Sequence, residues 1–119
     1  MEPRLTGVDA RSIATPLGRI SISCAAIAQI VTRTAEECYG VVGLSGQSGV
    51  GRLLNRNGVS VSDRDGGVGI ELAVIVEYGL NLAEVAATVR SRVTYEVERL
   101  TRLKVAAVDV TIKDARTST

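Results

Sequence analysis

The sequence predicts an α/β protein of the α+β type: a small two-layer sandwich with two helices on one face of a mixed or antiparallel sheet of about four strands. Three observations predict it. Two segments carry apolar residues at helical spacing, while several others alternate apolar and polar residues with the period of a strand. Their order (strand, helix, two or three strands, helix, strand) lets both helices cover one sheet face. The apolar content is also aliphatic: 45% of the 119 residues are hydrophobic, yet there is no Phe, no Trp and only three Tyr. Val, Ile, Leu and Ala must therefore fill the core, and the length suits one domain.

Each element has its own signal. Residues 1–16 are polar and irregular as far as Thr15-Pro16 and are expected to form a flexible N-terminal segment. Leu17-Gly18-Arg19-Ile20-Ser21-Ile22 alternates, so it reads as a short strand. Ser23 is placed to cap a helix from about Cys24 to Cys38, on which Ile27, Ile30, Val31, Thr34, Ala35 and Cys38 share a face and which Gly40 stops. Val41-Val42-Gly43-Leu44 can form a brief strand, and residues 43–51 are glycine-rich and read as a loop. Residues 52–57 are polar and basic, with Leu53 and Leu54 able to turn inward.

Val59 and Val61 alternate with Ser60 and Ser62, and Asp65-Gly66-Gly67 signals a hairpin. The return strand, Val68 to Tyr78, sets Val68, Ile70, Leu72, Val74 and Val76 on one face. Ala73 and Ile75 make its second face partly apolar, which places this strand at the centre of the sheet. Gly79 ends it. Asn81, with Glu84 three residues on, resembles a capping box. Leu82, Val85, Ala86, Val89, Val93, Val97 and Leu100 follow as the apolar stripe of the second helix, and Glu98 and Arg102 are spaced for a helical ion pair. Lys104 to Lys113 reads as the last strand, with Val108, Val110 and Ile112 on one face. The expected domain is residues 17–113, with 114–119 as a frayed tail.

Composition removes several function classes. Lys and Arg total 14 and Asp and Glu total 13, for a net charge of +1, so the whole-protein field gives no strong pull toward nucleic acid or an anionic membrane. There is no histidine, which takes away the usual general base, the centre of a triad and the commonest metal ligand. Neither a metal nor a cofactor is expected. On one continuous helix Cys24 and Cys38 would lie roughly 21 Å apart, against the ~4.4–6.8 Å between Cα atoms that a disulfide needs. They are expected to stay reduced in a cytoplasmic protein. Residues 1–16 lack the apolar region of a secretory signal, and no stretch approaches the ~20 apolar residues of a spanning helix.

The candidate sites are few. Gly46-Gln47-Ser48-Gly49 matches the GxxG loop that clamps a nucleic-acid backbone, and Arg52, Arg56 and Arg64 around it could make an anion-binding rim. Against this, the two central positions hold no basic residue, the loop follows a strand, and Asp63 and Asp65 offset the field; an ordinary loop is the favoured reading. Glu36, Glu37, Glu77 and Glu84 could supply a carboxylate pair, but each has a structural role as a cap or solvated end. Cys24 at a helix N-terminus could gain thiolate character, yet it has no His partner, and Cys38 reads as a small buried residue. No catalytic residue is assigned. An uncovered sheet edge, around Ile20 or along the Val108 strand, is a route to association by strand addition.

The run Leu17 to Ile22, the helix end Cys38-Tyr39-Gly40-Val41-Val42-Gly43-Leu44, the strand end Val76-Glu77-Tyr78-Gly79, the helix start Leu82-Ala83-Glu84-Val85-Ala86 and the closing Val105–Ile112 strand occur in a characteristic order. Together they resemble the alkaline-shock-protein family, the envelope stress response proteins of mostly Gram-positive bacteria, over about residues 17–113. The resemblance implies a cytoplasmic, non-enzymatic interaction or scaffold protein that forms homo-oligomers. It would reach the inner face of the membrane through a membrane-anchored partner, with nucleic acid disfavoured as a ligand. The family offers no catalytic residues to carry over. The alternative reading is a small nucleic-acid-binding module built on Gly46–Gly49 and the neighbouring arginines.

Overall fold

The computed structural model describes residues 10–45, 55–56 and 58–117. Its elements run β1 (Ala10–Thr15), β2 (Gly18–Ser23), α1 (Cys24–Glu36), β3 (Val41–Leu44), β4 (Asn55–Arg56), β5 (Val59–Arg64), β6 (Gly67–Glu77), α2 (Leu82–Thr101) and β7 (Val105–Arg116).

β6 is the central strand. β5 pairs antiparallel with its first half, from Arg64 opposite Gly67 to Val59 opposite Leu72. β3 then takes over the same edge, with Val41 opposite Val76 and Leu44 opposite Val74. The handover occurs at Ala73, whose N–H donates to Gly58 O and whose carbonyl accepts from Ser45 N, both at 2.9 Å. β7 runs parallel along the other edge of β6, from Val105 opposite Val68 to Arg116 opposite Glu77. The sheet is therefore mixed. A parallel neighbour demands a long crossover, and α2 supplies it.

Both helices are capped as their sequences predict. Ser23 Oγ accepts the Ala26 N–H at 3.0 Å, and Asn81 Oδ1 accepts the Glu84 N–H at 3.0 Å. α1 ends earlier than its apolar spacing suggests, because the Glu37 and Cys38 N–H groups bond to Thr34 O and Ala35 O. These three-residue bonds tighten the last turn. Cys38 is still buried.

On α2 the buried residues are Val85, Val89, Val93, Val97 and Thr101, a single row of four-residue steps. That row leaves Leu82 and Leu100, expected in the stripe, exposed at the two ends. Valines are weak helix formers, so packing against the sheet holds this helix. Thr101 is buried without penalty, since its Oγ1 donates to Val97 O and accepts from Leu103 N. The core joins Ile27 and Val31 of α1, the α2 valines, Val59 and Val61 of β5, Val68, Ile70, Leu72, Val74 and Val76 of β6, and Val108 of β7.

Four further expectations change. Ala10–Thr15, placed in an irregular segment, form β1 and pair residue for residue with β2 in a separate two-stranded sheet. Ala10-Arg11-Ser12-Ile13-Ala14-Thr15 is too weakly apolar to announce a strand; its partner across the Pro16-Leu17 turn fixes it. β4 pairs with Val59 and Ser60 of β5, although 52–57 carries no alternation. β7 runs on to Arg116, beyond the expected end at Lys113 and into the expected tail, because it continues to match β6 as far as Glu77. Glu98 does not turn to Arg102: its Oε2 accepts the Val105 N–H at 2.9 Å, and Arg102 serves as the C-cap at φ 64°.

Candidate interaction surface

The three tyrosines are the only aromatic residues in the chain, and all three are on the surface: Tyr39 is 79%, Tyr78 69% and Tyr95 62% exposed. Two of them lie at one end of the molecule. The Glu77 N–H donates to Gly40 O at 2.8 Å, which brings the turn carrying Tyr39 against the end of β6 carrying Tyr78. Gly40 packs so closely on Leu80 that a Cβ there would sit 2.8 Å from Leu80 Cδ1. Val42, the extra residue where the β3 register shifts between Val41 and Gly43, is exposed beside them. The Tyr78 N–H is held by Arg116 O at 2.8 Å, so the end of β7 adjoins this site. Tyr39, Val42 and Tyr78 thus form an apolar, aromatic end.

Tyr95 marks a second place. With Arg90, Ser91, Thr94 and Glu98 of α2 it lines an open groove of about 520 Å³, whose other wall is Val105–Val108 of β7. Among the described residues β7 pairs only with β6, so its outer side is an open sheet edge. Side chains close the two ends of that edge. Glu98 takes the Val105 N–H, while Asp114 Oδ1 takes the Ala115 N–H at 2.9 Å and pairs with Arg116 at 3.3 Å. Of the two strands expected to offer an edge, β7 offers one on the main sheet, whereas β2 lies in the separate hairpin.

The sheet face away from the helices is polar where Arg64, Glu71 and Asp109 lie, and further along β6 it carries the buried Ala73 and Ile75. Arg64 crosses it, passing so close over Gly69 that a Cβ there would lie 2.6 Å from Arg64 Cγ and Nε. Its guanidinium reaches Glu71 at 3.7 Å and Asp109 at 3.6 Å. Of the residues in the predicted anion rim, Arg64 is thus engaged with two carboxylates. Gly46, Gly49 and Arg52 lie outside the described residues, and only the backbone of Arg56 is described, in β4.

The candidate carboxylates do not converge on a buried centre. Glu36, Glu37 and Glu84 are exposed, with Glu37 4.0 Å from Arg92, and Glu77 ends β6 half-buried. Among the described residues no group of three or more His, Cys, Asp or Glu is placed to hold a metal. Cys24 and Cys38 are buried and unbridged. Burial pushes the Cys38 thiol pKa up, against a smaller lowering by Arg92 and a raising by Glu37; its Sγ donates to Thr34 O at 3.4 Å. That makes Cys38 an inert thiol. Among the described residues no helix is long and apolar enough to cross a membrane. The sequence reading missed the tyrosines; for Tyr39 and Tyr78 the signal was their placement beside Gly40 and Gly79, where turns expose side chains.

These features define a small two-layer α+β domain whose distinctive surfaces are an aromatic end and an open sheet edge. The chain belongs to a family of cell envelope-related function, whose sequence model matches residues 12–117, in keeping with the resemblance to the alkaline-shock-protein family. It is 31% identical over 110 residues to the uncharacterized protein YloU of Bacillus subtilis, covering 86% of this chain and 92% of that one. It is 29% identical over 112 residues to an uncharacterized protein of Streptococcus pyogenes, covering 87% and 93%. Among solved structures, a manganese form of MamM CTD is similar at a TM-score of 0.50 and 15% identity, covering 77% of this chain and 98% of that one. A zinc form of the same domain matches at 0.50 and 15%, covering 80% and 89%. At that identity the likeness concerns the fold.

Proposed function

We propose that this protein is a non-catalytic interaction or scaffold protein of cell-envelope stress homeostasis. In this reading it self-associates on the cytoplasmic side and docks to a membrane-anchored protein partner. The observation that carries the reading is the exposure of every aromatic residue. A buried Tyr removes on the order of 150–250 Å² from water, and an aliphatic core of this size could use that area. Here the tyrosines stand outside, where Tyr is enriched in the residues that dominate binding energy. Tyr78 also lies in Val76–Gly79, and Tyr39 directly precedes Gly40–Gly43, the two segments on which the family resemblance most depends.

The test is in-cell cross-linking with nuclease treatment, affinity recovery and mass spectrometry on the wild type and on Tyr39→Ser/Tyr78→Ser. The wild type is expected to recover itself and an integral membrane protein, and the variant to lose the membrane protein while keeping its melting temperature. Recovery of the same membrane protein by both would remove the aromatic end from the reading. Nuclease-sensitive recovery of nucleoid or ribosomal material in place of a membrane protein would favour the nucleic-acid reading.

A further inference from the structure

We infer that two copies of this chain pair antiparallel along the outer edge of β7, about a two-fold axis through Thr111. The inference rests on the self-association proposed above and assigns it a surface.

An edge strand presents unpaired N–H and C=O groups, and proteins that must stay apart blunt such edges with bulges, charges or covering segments. Among the described residues, side chains cap the N–H groups of β7 only near its ends. Its register against β6 shifts between Val105 and Ala107 and again between Ile112 and Asp114, while Glu98 and Asp114 cap the Val105 and Ala115 N–H groups. Between the two shifts, Ala107 to Ile112 follow β6 without interruption. On the helix side of this stretch Val110, with Ile112 at its end, is only partly buried against the core. A second strand beside β7 would complete their cover.

The side-chain order then selects the register. Directly opposed residues of an antiparallel pair lie on the same sheet face. With the axis at Thr111, Val110 meets Ile112 of the partner subunit on the helix side. On the other face Asp109 meets Lys113 of the partner subunit, and symmetry makes each pair twice. Moving the axis to Val110 sets Asp109 against Thr111, and moving it to Ile112 sets Lys113 against Thr111. Moving it between residues opposes a core-facing side chain to an outward one. Only the Thr111 axis joins apolar to apolar and acid to base. Asp109 is exposed, and only its Oδ2 is engaged by Arg64, at 3.6 Å.

The test uses the full chain. Thr111→Cys, oxidised with copper phenanthroline, is expected to give a disulfide-linked dimer, because opposed Cβ atoms lie about 4.5–5.5 Å apart. Ser62→Cys, on β5, and the wild type with its buried cysteines are the controls. Lys113→Glu, which sets like charges opposite each other twice, is expected to weaken the dimer about tenfold in sedimentation. The assignment is overturned if the wild type is dimeric but Thr111→Cys cross-links no faster than Ser62→Cys, or Lys113→Glu dimerises like the wild type. Self-association would then stand on another surface. Assemblies that lengthen with concentration without the Thr111 cross-link would likewise overturn it in favour of a head-to-tail contact. A wild type that stays monomeric at every concentration removes both this inference and the self-association beneath it.

Discussion

Two neighbouring glycines in the β5–β6 hairpin should respond very differently to the same substitution. Gly66 has φ 89° and Gly67 has φ 145°, so alanine is conformationally unfavourable at both. A Cβ on Gly66 meets nothing within 4 Å. Its cost is the left-handed backbone, about 1–2 kcal/mol, offset by about 0.4–1 kcal/mol from the stiffer unfolded chain. Gly66→Ala should therefore cost about 1 kcal/mol. At Gly67 the Cβ would collide with the carbonyl oxygen of Lys104 and lie 2.8 Å from its carbon. That carbonyl accepts the Val68 N–H at 2.8 Å, and Val68 is fully buried. Moving Lys104 away leaves a buried N–H unpaired, about 1–3 kcal/mol, in addition to about 1–3 kcal/mol of backbone strain. Gly67→Ala should cost about 2–6 kcal/mol, with the middle of that range about 4 kcal/mol. At about 4 °C per kcal/mol for a chain of this size, the two variants should melt roughly 4 °C or more apart by circular dichroism. Melting temperatures within about 2 °C of each other would refute the idea that the Val68–Lys104 junction clamps β6 to the start of β7.

Other perturbations follow from the same packing. Burial raises the Cys38 thiol pKa, so the folded state keeps its proton longer than the unfolded state does. The associated stability is whole below the unfolded thiol pKa and declines as pH rises from there through the folded value; urea unfolding across that alkaline range should show a shallower decline for Cys38→Ala than for the wild type. Ile27→Ala, at a fully buried site, should lose about 2–5 kcal/mol. Leu82→Ala, at an exposed one, should stay within about 0.5 kcal/mol, with urea midpoints distinguishing them. Asn81→Ala removes the acceptor for the Glu84 N–H and should cost about 0.5–2 kcal/mol, read as a lower thermal midpoint with the helical spectrum retained.

Local chemistry made the caps, the hairpin and the central strand legible. Ser23, Asn81 and Gly66-Gly67 act within a few residues of themselves, and the two apolar faces of β6 imply neighbours on both edges. What escaped depended on distant partners. β1 is a strand because β2 lies across the turn, β4 because β5 offers an edge, and β7 reaches Arg116 because β6 is long enough to match it. Glu98 illustrates the same limit: four-residue spacing offers it Arg102, but the N–H of Val105, brought back by the chain reversal after α2, is the group it meets. Of the surface, the acid–base pattern of β7 was present in the sequence, but only its position at an edge gives that pattern a use. The aromatic end needed the contact between the Tyr39 turn and the Tyr78 turn, more than thirty residues apart.

The two surfaces are separable, and their geometry sets what an assembly could do. The polar face crossed by Arg64, with Glu71 and Asp109, gives little apolar area for association, and the opposite face is filled by the helices. Among the described residues the β7 edge, the aromatic end, and Leu17 and Ile20 of the β1–β2 hairpin stay exposed. Tyr78 is tied to Arg116, five residues beyond Thr111 along β7, or roughly 16 Å at 3.3 Å per residue. In the register paired at Thr111, Arg116 lies opposite Ala106 of the partner subunit, and Tyr78 sits one strand further in on β6, so the two aromatic ends fall on opposite sides of the axis. A dimer of that kind is bivalent, and a partner held at many copies in a membrane would bind it more tightly than it binds a monomer by the effective concentration of the second site. Lys113→Glu should then weaken binding to partner-bearing vesicles while leaving binding to a single soluble partner domain unchanged, whereas Tyr39→Ser/Tyr78→Ser should weaken both. Equal loss in the two formats for Lys113→Glu would mean that the β7 edge touches the partner itself.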